Sequence, residues 1–367
     1  MSTIRARSPS SASAALVHLR GRRSFRSDAA LELLAQAREQ RTPYLALYNY
    51  PSFSGAFSAL FVRLFHDRLR LPCLILPFSS RHPFLVEDVC MPGLEKCFLL
   101  DFIGPTGFAS ELAPRSSCEV IAFEHRRSAV SRIGAEGSLA LSGVIYNVNT
   151  EKSSSMAAYE YFCGQLVGNA IEDERMNSGL LEKKDQGRVE KVLKYIEDGD
   201  LRKWTLPDSQ AFNIGLKEWR SKLNCITNQY MFEELLKMET EELTQAGCRY
   251  LSTRENSAAE FLDKAFSIRL GRGLYGKCLC VRADGYSDLS DEIGKQLSVK
   301  SAASGLRPIG AVVYMQGNNL KMCLRSIDDR TDTSEVAKAY GGGGNPPSSS
   351  FIIRMDEYNH WLAVNST

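Results

Sequence analysis

The chain reads as α/β, with a mainly parallel sheet in a larger N-terminal domain and a smaller α/β domain after it. Three observations carry this. The stretch Cys97–Ala129 holds two apolar runs of strand length, each ending in an acid: Phe98–Leu100 before Asp101, and Val120–Phe123 before Glu124. The turn Gly104-Pro105 and the short amphipathic segment Phe108–Leu112 separate them, and strand, helix, strand in that space is a parallel crossover. Apolar runs also alternate with helical spacing all the way from Tyr44 to Leu166, the pattern of α/β folds. Finally, 367 residues exceed the roughly 250–300 that one core usually holds, so about two domains are expected.

Taken in order, Tyr44–Tyr50 is the first strand, and the turn Pro51-Ser-Phe-Ser-Gly55 leads into a helix marked by Leu60, Phe61, Leu64 and Phe65,. Cys73–Pro77 is a second strand, and the two runs above are the third and fourth. Gly143–Val148 is a fifth, followed by a helix over Met156–Leu166. Val189, Val192, Leu193 and Ile196 fall at helical spacing and run into the acidic turn Glu197-Asp198-Gly199-Asp200. Phe212–Leu236 is predicted helical with Trp219, Leu223 and Ile226 on one stripe, and the polar run from Glu239 serves as connection, giving a first domain over 41–238 and a connector over 239–275. The second domain, 276–367, reads as strand Lys277–Arg282, helix Asp291–Leu297, strands Gly310–Met315 and Leu320–Arg325, helix Ser334–Tyr340 opened by a capping box at Asp332 and Glu335, four glycines at Gly341–Gly344, and a last strand Phe351–Arg354. Gly271-Arg-Gly-Leu-Tyr-Gly276 precedes a strand instead of following one, so it reads as a turn and not as a dinucleotide loop.

Composition excludes several classes. Apolar residues make up 44% and charged residues 24%, an ordinary globular balance. A net charge of +2 gives no global basic field, so no duplex DNA is expected, although a local positive pocket is compatible with it. No apolar run reaches the roughly 18 residues of a membrane span, so no membrane partner is expected. The ten cysteines form no CxxC pair, and Cys278 and Cys280 alternate onto one strand face. They read as reduced, mostly buried thiols of an intracellular protein. Residues 1–40 are set outside the fold. Their start carries Arg5, Arg7, Arg20, Arg22, Arg23 and Arg26, many serines and no acid before Asp28, which fits a chloroplast or mitochondrial transit peptide. A basic tail on a cytoplasmic protein is the other reading.

The chemistry-bearing residues stand at strand ends. In parallel sheets, ligands bind outside the carboxyl ends of the strands, and Asp101, Glu124 and His125 all fall there. Carboxylates plus an imidazole suit a divalent metal; the plainer alternative is that each acid caps the next helix.

The order of these pieces resembles the DHH phosphoesterase superfamily with its associated C-terminal domain, over roughly residues 43 to 356. Tyr48-Asn-Tyr-Pro-Ser-Phe-Ser-Gly55, Leu100-Asp-Phe-Ile-Gly-Pro105, Phe123-Glu-His-Arg-Arg-Ser-Ala129 and Tyr195-Ile-Glu-Asp-Gly-Asp-Leu201 look like its metal motifs. Leu324-Arg-Ser326 and Gly341-Gly-Gly-Gly-Asn345 look like its substrate-side motifs. The resemblance, to plant-type exopolyphosphatase- and oligoribonuclease-like members, implies two divalent ions, usually manganese, hydrolysing a phosphodiester or phosphoanhydride between the two domains. It also implies catalytic roles for Asp101, His125 and Asp200 (with Asp198 the less favoured match), and metal ligation by Asp101, Glu124, His125 and Asp200. Substrate would be held by Arg126, Arg325, Ser326, Gly342, Gly343, Gly344 and Asn345. The sequence departs from the family pattern at several of these places. Asn49 and Ser54 stand where the family has His and Asp, and Ser52 where some members have a further Asp. Glu124 replaces the signature Asp, Arg126 its last His, and Asn345 the His ending the glycine run.

Arg126 weighs most. A guanidinium cannot ligate a metal, and at about 4 Å it would repel a dication by about 8 kcal/mol at an effective dielectric of about 20. Arg126 therefore either turns away into a salt bridge, for which Asp101 is a candidate partner, or takes over part of a metal's role. The expected function is a divergent phosphoesterase-like protein that binds short single-stranded oligonucleotides or polyphosphate, with at most one weakly held manganese or magnesium ion and with hydrolysis weak or lost. The alternatives are an active hydrolase with a reduced metal set and an inert, partner-binding protein.

Overall fold

The computed structural model describes residues 27–135, 143–169, 179–328 and 330–362. The chain divides into two compact units, Met1–Gly247 and Cys248–Thr367. Among the described residues, no helix is long and apolar enough to cross a membrane.

The first unit is built on a parallel five-stranded sheet: β1 (Tyr44–Asn49), β2 (Cys73–Phe78), β3 (Lys96–Leu100), β4 (Glu119–Glu124) and β5 (Val144–Val148), in the order β2-β1-β3-β4-β5. The central strands have almost no exposed positions, because both faces are covered, and that is why they read as unbroken apolar runs. Strand alternation divides the faces. Ala46, Tyr48, Phe98, Leu100, Ile121 and Phe123 enter one buried cluster. Leu45, Leu47, Cys97, Leu99, Val120 and Ala122 enter the other.

On the second of these faces lies α1 (Asp28–Glu39), whose Ala30, Leu34 and Ala37 are buried. The segment 1–40, set outside the fold on composition, thus ends in a packed helix capped by Ser27; a three-residue apolar stripe among polar residues outweighs the local bias. Residues 1–26, with the six arginines, lie outside the described residues. The same face carries α4 (Phe108–Ser116), with Phe108, Ala109 and Leu112 buried, and α5 (Arg127–Ala135), while α3 (Val86–Val89) closes a loop. The first face is covered by α2 (Phe53–Leu69), α6 (Ser154–Asn169) and α7 (Lys183–Asp200), with Phe57, Phe162 and Leu193 fully buried.

The expected long helix over Phe212–Leu236 is broken into α8 (Ser209–Gly215), a 3-10 turn over Leu216–Lys222 and α9 (Met231–Leu236). Asn224 and Asn228 cause part of the break. Asn224 Oδ1 accepts from Ile226 N at 3.0 Å, and Asn228 Nδ2 donates to Lys222 O at 3.0 Å, so side chains compete with helical hydrogen bonding. Leu223 and Ile226 consequently pack against different clusters. The polar connector starts as α10 (Thr240–Ala259).

The second unit holds a mixed sheet of β6 (Phe266–Arg269), β7 (Lys277–Arg282), β8 (Gly310–Gln316), β9 (Asn319–Arg325), β10 (Gly343–Asn345) and β11 (Ser348–Ile353), ordered β10-β11-β9-β8-β7-β6. Among the described residues of this sheet, only β7 and β8 pair in parallel, across α11 (Ser290–Ala303). Cys278 and Cys280 do share one buried face, with Trp361 of α13 (Met355–Trp361), and α12 (Ser334–Ala339) contributes Val336 and Ala337 there. All ten cysteines are free, Cys248 being exposed. β6 extends the second sheet into the segment read as connector, and Gly271–Gly276 is the turn joining β6 to β7.

Candidate functional site

Register brings the strand-end residues together. Tyr48 pairs with Leu100, and Leu100 with Phe123, so these three form one row across the sheet. The next positions, Asn49, Asp101 and Glu124, form the rim beyond it. The rim spans β1 and β3, where the strand order reverses, the position at which open α/β sheets bind ligands.

Asp101 is the centre. It is fully buried, and its backbone sits at φ 66°, a left-handed conformation that Asp tolerates better than most residues. Its Oδ2 accepts from Asn49 Nδ2 at 2.9 Å, Ser52 Oγ at 2.5 Å and Arg126 Nη2 at 3.1 Å. Its Oδ1 is buried without an aligned hydrogen bond, although His125 Nδ1 lies 3.2 Å away. Burial alone would raise this carboxyl, but the His125 contact, the Arg126 charge and the Ser52 hydroxyl outweigh it and hold it below its ordinary value,.

Arg126 turns inward. Its Nη1 reaches Glu124 Oε1 at 3.1 Å, Glu124 Oε2 at 2.9 Å and the backbone oxygen of Asp101 at 3.1 Å. The salt bridge named from sequence as the plain alternative for this residue is therefore present, and it includes both acids. Glu124 Oε1 also accepts from the backbone N–H groups of His125 and Arg126, at 2.9 and 3.0 Å. A guanidinium carries five donors. Those on Nη1 and one on Nη2 face the acids, while Nε has no acceptor among the described residues, and the side chain keeps 42% of its surface exposed. Nε–H and the outer Nη2–H remain as a fork on the open edge.

His125 Nδ1 also contacts Ser154 Oγ at 3.0 Å. Burial lowers the imidazole's pKa, but contact with Asp101 and the charges of Asp101 and Asp200 outweigh this, so the net shift is upward. Both Asp101 and Ser154 meet the same ring nitrogen, so this is not the relay in which a serine and an acid sit on opposite nitrogens.

Asp200 lies close enough to feel the charge of Asp101, whereas Asp198 is engaged elsewhere. Ser54 Oγ donates to Asp200 Oδ2 at 2.5 Å. Crowding by protein and the charge of Asp101 push its carboxyl up to about 6. The residue as a whole is exposed; crowding sets the direction of the shift, and exposure limits its size. Asp198 instead accepts from Thr205 N and Oγ1, at 2.9 and 2.6 Å, and shapes the turn after α7.

Sequence reasoning missed the buried serines Ser153, Ser154 and Ser155 at the start of α6. Ser154 holds His125, and Ser155 meets Ser54 at 3.2 Å. Three consecutive serines ahead of an apolar helix were the available signal. Glu197, from the acidic motif, accepts from Ser153 N at 2.9 Å and satisfies the start of that helix.

Asp101, Glu124 and His125 offer donor atoms within 4.8 Å of one another and could hold a metal. The fit is partial. Asp101 Oδ1 and His125 Nδ1, 3.2 Å apart, could serve as ligands to one ion, whereas Arg126 already neutralises Asp101 Oδ2 and Glu124, where a second would need its ligands.

The substrate-side residues lie in the second unit. Arg325 Nε pairs with Asp291 Oδ1 at 2.7 Å, and Nη1 donates to Leu324 O and Ser349 O at 2.9 and 3.3 Å. Its side chain is only 13% exposed. Ser326 is buried and accepts from Asp328 N at 3.1 Å. The glycine run, which the resemblance places on the substrate side, forms a helix cap and a short strand. Gly341, at φ 73°, ends α12, with Gly341 N bonded to Lys338 O at 3.1 Å and Gly342 N to Ala337 O at 2.8 Å, the Schellman pattern. Gly343, Gly344 and Asn345 form β10 and pair with Ser350, Ser349 and Ser348. Four small residues after a helix are enough for a cap and a strand, and such a short strand leaves little periodicity to read.

No protein-family model and no curated protein matches the chain. Solved structures of similar shape include the pGpG-specific phosphodiesterase PggH of Vibrio cholerae, at 12% identity and a TM-score of 0.37 over 86% of this chain and 95% of that one. RecJ of Thermus thermophilus in complex with Mn2+ is similar at 12% and 0.35, over 90% of this chain and 52% of that one. An exopolyphosphatase-related protein of Bacteroides fragilis is similar at 12% and 0.31, over 91% and 94%. The α/β fold rests on the chain's own strand order and register.

Proposed function

We propose that this chain is a divergent DHH-type phosphoesterase-like protein that binds phosphate-rich ligands, short single-stranded oligonucleotides or polyphosphate, with hydrolysis weak or lost. The observation that carries the reading is Arg126. Its guanidinium lies between Asp101 and Glu124 as a permanent cation, with its remaining fork turned outward. That fork matches two phosphate oxygens. A bound arginine cannot generate hydroxide, so the arrangement favours holding a phosphate over cleaving it.

A second reading is favoured by the bare Oδ1 of Asp101. One manganese or magnesium ion held weakly there by Asp101, His125 and, by longer reach, Glu124 would supply Lewis-acid polarisation of a phosphoryl oxygen. Asp200 and its Ser54 contact would complete a reduced metal set.

Calorimetric titration separates the two. The wild type should bind a short oligonucleotide or tripolyphosphate without added metal. Arg126→Lys keeps the charge but loses the fork, and should weaken binding by about 1.5 kcal/mol, the lower end for a charge-assisted hydrogen bond. Manganese-dependent turnover by the purified chain, abolished by Asp101→Ala, would establish the hydrolase reading instead.

A further inference from the structure

A cleft of about 550 Å³ opens beside Arg126, wholly within the first unit and directly over the strand ends. Its volume is within the roughly 300–1,000 Å³ of small-molecule sites. The lining mixes two chemistries. Phe102, half-buried, lines the cleft and stacks on buried Phe78 with ring centroids 4.5 Å apart and planes inclined by 29°. Phe78 backs one face of that ring and holds it. Arg126, Ser80 and Ser128 add polar groups to the lining, and Ser128 belongs to the first turn of the nine-residue α5. Helix-start N–H groups add a positive partial charge there. Glu124 also borders the cleft, but its carboxylate is turned to the Arg126 guanidinium and to two backbone N–H groups.

Resting on the phosphate reading above, we propose that this cleft takes a single nucleotide, free or at the end of an oligonucleotide, with its phosphate on the open fork of Arg126 and its base on Phe102. The aromatic ring decides between the phosphate-rich ligands. Inorganic polyphosphate has no flat apolar face and would leave Phe102 uncovered, whereas a base stacks on such a ring whatever its sequence. A lining that is both aromatic and cationic favours a ligand anionic at one end and planar at the other.

The test uses the full chain, a nucleoside 5′-monophosphate and tripolyphosphate, with Phe102→Leu and Arg126→Lys as variants. Leucine keeps most of the volume against Phe78, and tripolyphosphate affinity reports whether Phe102→Leu keeps an intact site. Phe102→Leu should weaken the nucleotide about tenfold, as for loss of one base stack, and leave tripolyphosphate unchanged; Arg126→Lys should weaken both. Tripolyphosphate binding without nucleotide binding, or nucleotide binding that ignores Phe102→Leu, would overturn the nucleotide pocket and leave the phosphate reading standing. Failure of both probes to bind the wild type would overturn the phosphate reading itself.

Discussion

At the scale of single residues, the site is a balance of buried charges with Arg126 as its fixed member. Asp101 is fully buried and the Glu124 side chain is 5% exposed. Arg126→Ala would leave two carboxylates uncompensated, a loss of about 3 kcal/mol for a broken buried pair. Thermal melts should show that loss, and manganese should restore part of it in the variant while moving the wild type little; equal manganese shifts in both would mean that Arg126 does not compete with metal. Asp200 works in the opposite sense. Its folded pKa is raised from 3.8 to about 6, so the folded state holds the proton more tightly than the unfolded chain does. Stability from this group is fully present below the unfolded value and is lost as pH rises to about 6. Asp200→Asn should therefore stabilise the protein at about pH 7.5 and change nothing near pH 3. The full shift corresponds to about 3 kcal/mol, which solvent exposure of the residue reduces to about 1 kcal/mol. The rim acids and His125 could be located from sequence because apolar runs end abruptly there. The pairing of Arg126 was open, since nothing in the order of residues says which way a long side chain turns. The Ser154 contact was invisible because it joins positions 29 residues apart.

At the scale of elements, the central strands were legible and the helical region after α7 was not. Doubly buried strands leave a strong apolar signature, whereas residues 209–236 combine apolar positions with asparagines that interrupt any one period. Close helix packing there depends on backbone contact. A Cβ on Gly247 of α10 would lie 1.8 Å from the carbonyl oxygen of Ala211 in α8, so the helices meet at a position where only glycine fits. Gly247→Ala should cost about 2–3 kcal/mol, the upper range for overpacking, with a lower denaturation midpoint and no change in the affinity of the Arg126 site. A neutral effect would mean that the helices separate at little cost. The phenol of Tyr48 belongs to the same scale: from near the end of β1 it donates to Leu223 O at 2.8 Å and accepts from Cys225 N at 3.0 Å, fixing the irregular loop that sequence periodicity had drawn as helix.

At the scale of the whole molecule, the buried clusters of the two units share no residue. Leu297→Ala, deep in the second unit, should remove about 2–5 kcal/mol. It should lower one of two calorimetric transitions and leave the other in place; a single transition displaced as a whole would show that the units unfold together. The second domain was recognisable by its strand and helix order, but its outermost pieces, β6 and β10, were not, since a strand of three or four residues supports no pattern. The brevity of β10 has a consequence for the protein in concentrated solution. An open sheet edge invites a neighbouring chain to add a strand of its own. Here that edge consists of Gly343, Gly344 and Asn345, followed by Pro346 and Pro347, which have no N–H to share. A docking strand would find three residues of ladder and then two positions that cannot donate, too little to seed an aggregate.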